Sequence, residues 1–134
     1  MSKNKITELH PSNLSNKYLN HLVGLIGSLS AKLESDEENA SLFFKRGLLR
    51  VKLYKRAESS GIAAYMDDHL SDACMDFEEA LHFSIQADEI GLIHKACGDA
   101  HALSGNHEAA KPHFVLAMRL SPIPPATPPP STKG

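Results

Sequence analysis

Two copies of one spacing constrain this chain more than any other feature. Ala73-x3-Phe77-x2-Ala80 recurs as Ala110-x3-Phe114-x2-Ala117, and each copy follows a glycine, as Arg46-Gly47 in the first case and Cys97-Gly98 in the second. Steps of three and four residues place such side chains on one helical face, so each copy reads as one arm of a helical hairpin. If glycine and first alanine face each other across antiparallel arms, the turn must fall midway between them. The midpoint of residues 47 and 73 is residue 60, at Ser60-Gly61, and that of residues 98 and 110 is residue 104, at Ser104-Gly105. Glycine suits both, because it takes the left-handed conformation that ends a helix.

The two copies differ in length. Gly98 lies 12 residues before Ala110, whereas Gly47 lies 26 before Ala73, an excess of 14. Split evenly, the excess adds seven residues to each arm, close to two helical turns, which keeps the buried faces in phase. An elongated first hairpin is expected, projecting roughly 10 Å beyond its neighbour at 1.5 Å rise per residue.

The flanks complete the helical reading. From Asn13 to Glu34 a stripe of Leu19, Leu22, Ile26, Leu29 and Leu33, widened by Val23 and Leu25, predicts a first helix. Ser35 to Asn39 forms a polar turn, and a helix from Ala40 to about Ser59 follows. The next continues through Met66 and Leu70 to roughly Ala87; Asp88 is the expected cap of a helix from Glu89 to Leu103. In the last helix Pro112 predicts a kink or a late start, since an interior proline costs on the order of 3 kcal/mol. Six of the eight prolines lie between Pro122 and Pro130, so residues 122–134 read as an unpacked, polyproline-like tail. Its Pro122-x-x-Pro125 and Pro125-x-x-Pro128 spacings suit aromatic grooves, but a plain linker is the expected role. Residues 1–12 read as a flexible N-terminus and 13–121 as the folded domain.

These marks, with Pro122 closing the second copy, resemble the tetratricopeptide repeat, a 34-residue helix–turn–helix. The resemblance covers Ala40 to Pro122. Residues Ala31 to Asn39 are similar to the family's helix end and inter-repeat turn, with Glu37 in place of proline. The chain departs from the family at His94, Cys97 and His101, where the repeat has Trp, Leu and Tyr. The resemblance implies an all-α, tetratricopeptide-like stack of about five helices: two repeats plus an N-terminal helix, the first hairpin elongated. It also implies an adaptor, or a chaperone similar to small tetratricopeptide chaperones, with a concave face lined by the first helix of each repeat. On this chain that face carries Phe44, Leu48, Val51 and Lys52, then Leu92, Lys95, Asp99 and Ala102. The family's carboxylate clamp is not expected, because Phe44, Leu48 and Asp99 occupy its places, so the partner is an apolar or amphipathic segment of a protein. Stacked repeats need a polar cap. Here Pro122 follows at once, so Val115, Leu116 and Met118 are expected to contact a second copy or another subunit. The rival to the adaptor is a structural subunit without a groove ligand.

Other constellations have blander readings. His94, Cys97 and His101 stand at i, i+3 and i+7 on one face, a spacing that a metal could use with His113 or Cys74 as fourth ligand. Because the repeat places packing residues there, packing is the expected role, with no metal, no cofactor and a metal-dependent sensor only a third alternative. His107 and His113 are expected to face solvent or pack. Lys45, Arg46, Arg50, Lys52, Lys55 and Arg56 make one helix basic, and Asp67, Asp68, Asp72, Asp76, Glu78 and Glu79 make the next acidic. Hairpin pairing brings Asp72 and Asp76 near Arg46 and Arg50, so the charges are expected to pair internally as exposed ion pairs, worth about 0 to 1 kcal/mol each. Asp67-Asp68-His69 reads as a solvated helix start. No nucleophile–base pair or phosphate-binding loop is present, so no enzyme is expected.

Composition sets the outer bounds. The 134 residues carry 14 basic and 16 acidic side chains, a net charge of −2, which supplies no field for nucleic acid. Aromatic residues are 6% and Trp is absent, as befits packed helices rather than a β-sandwich. Two cysteines read as buried, free thiols of a reducing cytoplasm. The most apolar run, Leu22 to Ala31, is too short to cross a membrane. A signal peptide is disfavoured by the long polar segment ahead of that run.

Overall fold

The computed structural model describes residues 11–61 and 66–120. The described residues form five α-helices: α1 (Pro11–Ser35), α2 (Ala40–Ser59), α3 (Met66–Phe83), α4 (Ala87–Leu103) and α5 (His107–Leu120). Each packs on its neighbour in sequence, and α2 also touches α4. The result is a stack of antiparallel hairpins. The expected tail at 122–134 and most of the expected flexible N-terminus lie outside the described residues.

The two copies of the spacing make the same contact. A Cβ placed on Gly47 would sit 2.5 Å from Phe77 Cε1, and one on Gly98 would sit 2.7 Å from Phe114 Cε1. Real Cβ atoms do not approach so closely, so each glycine is a hole into which the facing ring fits. Phe77 is fully buried, with Ala73, Ala80, Ile93, Cys97 and Ala100 around it. Both helices that precede the turns end at the expected glycine, with Gly61 at φ 75° and Gly105 at φ 85°.

The extra 14 residues lengthen both arms of the first hairpin. Helix α2 runs 12 residues past Gly47, whereas α4 runs five past Gly98, a gain of seven. On the return arm the described part of α3 reaches seven residues before Ala73 and α5 starts three before Ala110, so at least four more of the extra residues lengthen α3. The two added turns of α2 do not stand alone. Leu53 and Ala57 on them pack against Leu19, Leu22 and Ile26 of α1, and the Arg56 guanidinium lies 4.6 Å from the centre of the Tyr18 ring. The long first arm therefore matches a long first helix.

Some boundaries and faces differ from expectation. Helix α3 ends at Phe83 rather than near Ala87. The residue before α4 is Gln86, which makes no side-chain capping bond, and Asp88 falls inside the first turn. There the Ser84 hydroxyl donates to Glu89 Oε1 at 2.5 Å, so the linker is tied to the helix start without the expected cap. The late start considered for the last helix does not occur, as α5 begins at His107 and contains Pro112. Val23 and Leu25 are exposed, so the buried stripe of α1 is narrower than its apolar residues suggest.

Also on the open side of α1, Gly24 and Gly27 have no neighbour within 4 Å of an added Cβ. Alanine at either should raise stability by about 0.5–1 kcal/mol, because glycine in a helix interior carries that entropic cost. Urea denaturation of Gly24→Ala and Gly27→Ala measures it; a loss of stability would show that this face is not open.

Candidate functional site

Two features stand out on the scaffold: a groove across the first arms, and a cluster of histidines and cysteines between the last three helices. The groove, about 370 Å³, is lined by Leu48, Val51, Lys52 and Lys55 of α2, Phe77 of α3, and Ala96 and Asp99 of α4. Four of the eight residues expected on the partner-binding face thus come together: Leu48, Val51, Lys52 and Asp99. Phe44 is half-buried with its ring 6.0 Å from that of Phe77. Leu92 is exposed, Ala102 half-buried, and the Lys95 ammonium donates to Asp99 at 3.0 Å. A second groove, of about 410 Å³, lies between α1 and α2 and shares Leu48 and Lys52, adding Leu25, Leu29, Leu49, Lys32 and Lys45.

Charge divides within α2. Asp76 is buried, and Arg46 holds it with two bonds, Nε to Oδ2 at 3.0 Å and Nη2 to Oδ1 at 2.7 Å. Arg50 Nη1 adds a contact at 3.3 Å and reaches Asp72 at 3.9 Å. Arg46 Nη1 also donates to Ser30 Oγ, tying α1 to the pair. The expected pairing occurs, but inside the stack rather than as exposed pairs. Lys45, Lys52 and Lys55 make no ion pair among the described residues and line the grooves as a cationic edge. Sequence reading missed Ser30, a residue whose neighbours signal only helix.

The cluster joins α3, α4 and α5. Ligating atoms of Cys97, His101 and His113 all lie within 4.8 Å of one another. Cys97 Sγ is 3.6 Å from His113 Nε2, and His113 Nδ1 is 2.9 Å from His94 Nδ1. The rings of His101 and His113 stack with centres 5.4 Å apart. Cys74 Sγ approaches His101 Nδ1 at 3.9 Å. Of the three residues singled out on α4, His94 is therefore displaced from the triad by His113, which it contacts instead. Both cysteines are free; Cys97 is buried and Cys74 half-buried. Burial pushes the Cys97 thiol up to about 12, with the neighbouring Cys74 and Glu78 charges adding to it. Burial, then Glu78, also raises Cys74. Burial lowers His94, and it lowers His113 with help from His94 and His101. These directions keep both thiols protonated, so neither cysteine is an activated nucleophile.

At the far end of the stack Val115, Leu116 and Met118 are exposed on α5, Met118 at 78%. No helix among the described residues is long and apolar enough to cross a membrane. Comparison with family models, with curated proteins and with solved structures finds no match to this chain.

Proposed function

We propose that this chain is a cytoplasmic protein–protein interaction module of the tetratricopeptide type, an adaptor or chaperone that grips an amphipathic segment of its partner and catalyses nothing. The observation that carries the reading is the groove in which Leu48, Val51 and Lys52 of one hairpin meet Asp99 of the next. Its floor is apolar, and its edge carries Lys52 and Lys55, which make no ion pair among the described residues. A helix with an apolar face flanked by acidic residues is the complementary occupant. The matching Gly–Phe contacts of the two hairpins support the repeat reading, because they recur at the family's small-residue and Phe positions.

A second reading rests on Val115, Leu116 and Met118. A stack whose last helix presents apolar side chains fits a structural subunit or a homodimer joined through that end.

One experiment separates the two. The full chain, Leu48→Glu and Met118→Glu serve as baits in native cell extract, with captured proteins quantified by mass spectrometry, folding checked by circular dichroism, and mass measured by light scattering. The groove reading expects a captured protein to fall at least about tenfold with Leu48→Glu, the effect of placing a charge on an apolar anchor. Met118→Glu should leave it unchanged. Capture unaltered by Leu48→Glu, together with an oligomer that Met118→Glu dissociates, would replace the groove reading with the structural one.

A further inference from the structure

We propose that Cys97, His101 and His113, with Cys74 as fourth ligand, form a binding site for Zn²⁺ that staples α3, α4 and α5 together. The converging donors are the sulfur of Cys97 and the imidazoles of His101 and His113, with no carboxylate that would favour Mg²⁺ or Ca²⁺ in the group; Cys74, which lies outside the group but reaches His101, would move in to complete the Cys2His2 set of closed tetrahedral zinc sites. Spacing agrees. With Zn–S near 2.3 Å and Zn–N near 2.0 Å, a tetrahedron has an S···N edge of about 3.5 Å. The Cys97 Sγ to His113 Nε2 separation is 3.6 Å, and that of Cys74 Sγ to His101 Nδ1 is 3.9 Å. Cys97 and His101 stand four residues apart on α4, so one helical face presents both, while His113 comes from the neighbouring arm.

The surroundings resemble a metal site's supporting shell. A ligating histidine usually holds its other ring nitrogen in a hydrogen bond that fixes its orientation. His113 points Nε2 at the sulfur of Cys97, and its Nδ1 meets His94 Nδ1 at 2.9 Å. His94 is thus a positioning residue rather than a ligand.

The proton balance is definite. Each thiol gives up its proton to solvent as its S–Zn bond forms, so the two thiols release two protons for each Zn²⁺ bound. Two thiolates and one dication leave no net charge at the site, as its burial requires.

The test uses the full chain, reduced and stripped of metal at slightly alkaline pH. Co²⁺ is added first as a spectroscopic probe, and Zn²⁺ is then titrated calorimetrically in buffers of different ionisation enthalpy. The site predicts one Co²⁺ per chain with the intense visible bands of tetrahedral geometry, thiolate charge transfer, displacement by Zn²⁺, two protons released, and a melting temperature raised by Zn²⁺. His113→Gln, at a half-buried position that tolerates the change, should weaken binding by at least about 100-fold, and Cys97→Ala likewise. His94→Ala should weaken it about 10–100-fold while the tetrahedral spectrum persists. His107→Ala, at an exposed histidine outside the cluster, should change nothing. No binding, or binding indifferent to both His113→Gln and Cys97→Ala, would overturn the site. Release of one proton, with a spectrum unaltered by Cys74→Ser, would overturn the fourth ligand.

Discussion

Phe77→Ala is expected to lower the stability of this chain by about 3–5 kcal/mol, the cost of deleting a fully buried ring from a core that cannot collapse around it. The site has little freedom to relax. Phe77 fills the hole left by Gly47, its ring faces that of Phe44, and the backbones on either side are held by hairpin packing. Small domains have only about 5–15 kcal/mol in total, so the variant should unfold at markedly lower urea, and at physiological temperature a fraction of it should be unfolded. Phe114→Ala makes the same hole opposite Gly98, but Phe114 is only half-buried at the end of the stack and should cost less. Urea denaturation followed by circular dichroism measures both. Equal losses would mean that the end of the stack is as well covered as its centre.

The second large effect is electrostatic. Asp76→Ala leaves Arg46 and Arg50 facing each other without their common carboxylate, and both guanidinium groups are mostly shielded from water. Breaking such a buried pair from one side costs about 3–5 kcal/mol, because the remaining charge cannot be resolvated in place. Asp72→Ala is the control. Its carboxylate is half-exposed and 3.9 Å from Arg50, and its loss should cost about 1 kcal/mol or less. If the two aspartate variants melt together, Asp76 is not the centre of the network. The paired replacement Arg46→Met with Asp76→Leu removes both charges and should recover most of the loss, because an apolar pair of similar volume avoids desolvation altogether.

What could be read from residues alone follows from which interactions are local. The five helices and both glycine turns were legible because spacing and turn chemistry act within a few residues of one another. Gly47 and Gly98 were legible as repeat marks, but the reason for them, a facing ring in each case, becomes visible only once the arms are paired. Asp76 was recognised as a partner for arginine but not as buried. Its contacts are with Arg46 and Arg50 of α2, 26 to 30 residues away, and nothing in the local sequence of α3 reports its burial. The cluster shows the same limit. His94, Cys97 and His101 share a helical face, yet the atom at its centre belongs to His113, 16 residues from Cys97.

The division of labour along α2 has a consequence for how this molecule comes apart. Its first turns serve the cluster around Phe77, and its added turns serve the cluster around Leu22; the two clusters share no buried residue. Apart from the hydrogen bond between Arg46 and Ser30, polar contact across the boundary is slight among the described residues. Helix α1 is therefore expected to open as a separate unit, exposing Leu53 and Ala57 while the Gly–Phe hairpins stay closed. The lengthened arm is a landing strip: its added turns hold the first described helix over an apolar surface of the chain's own making.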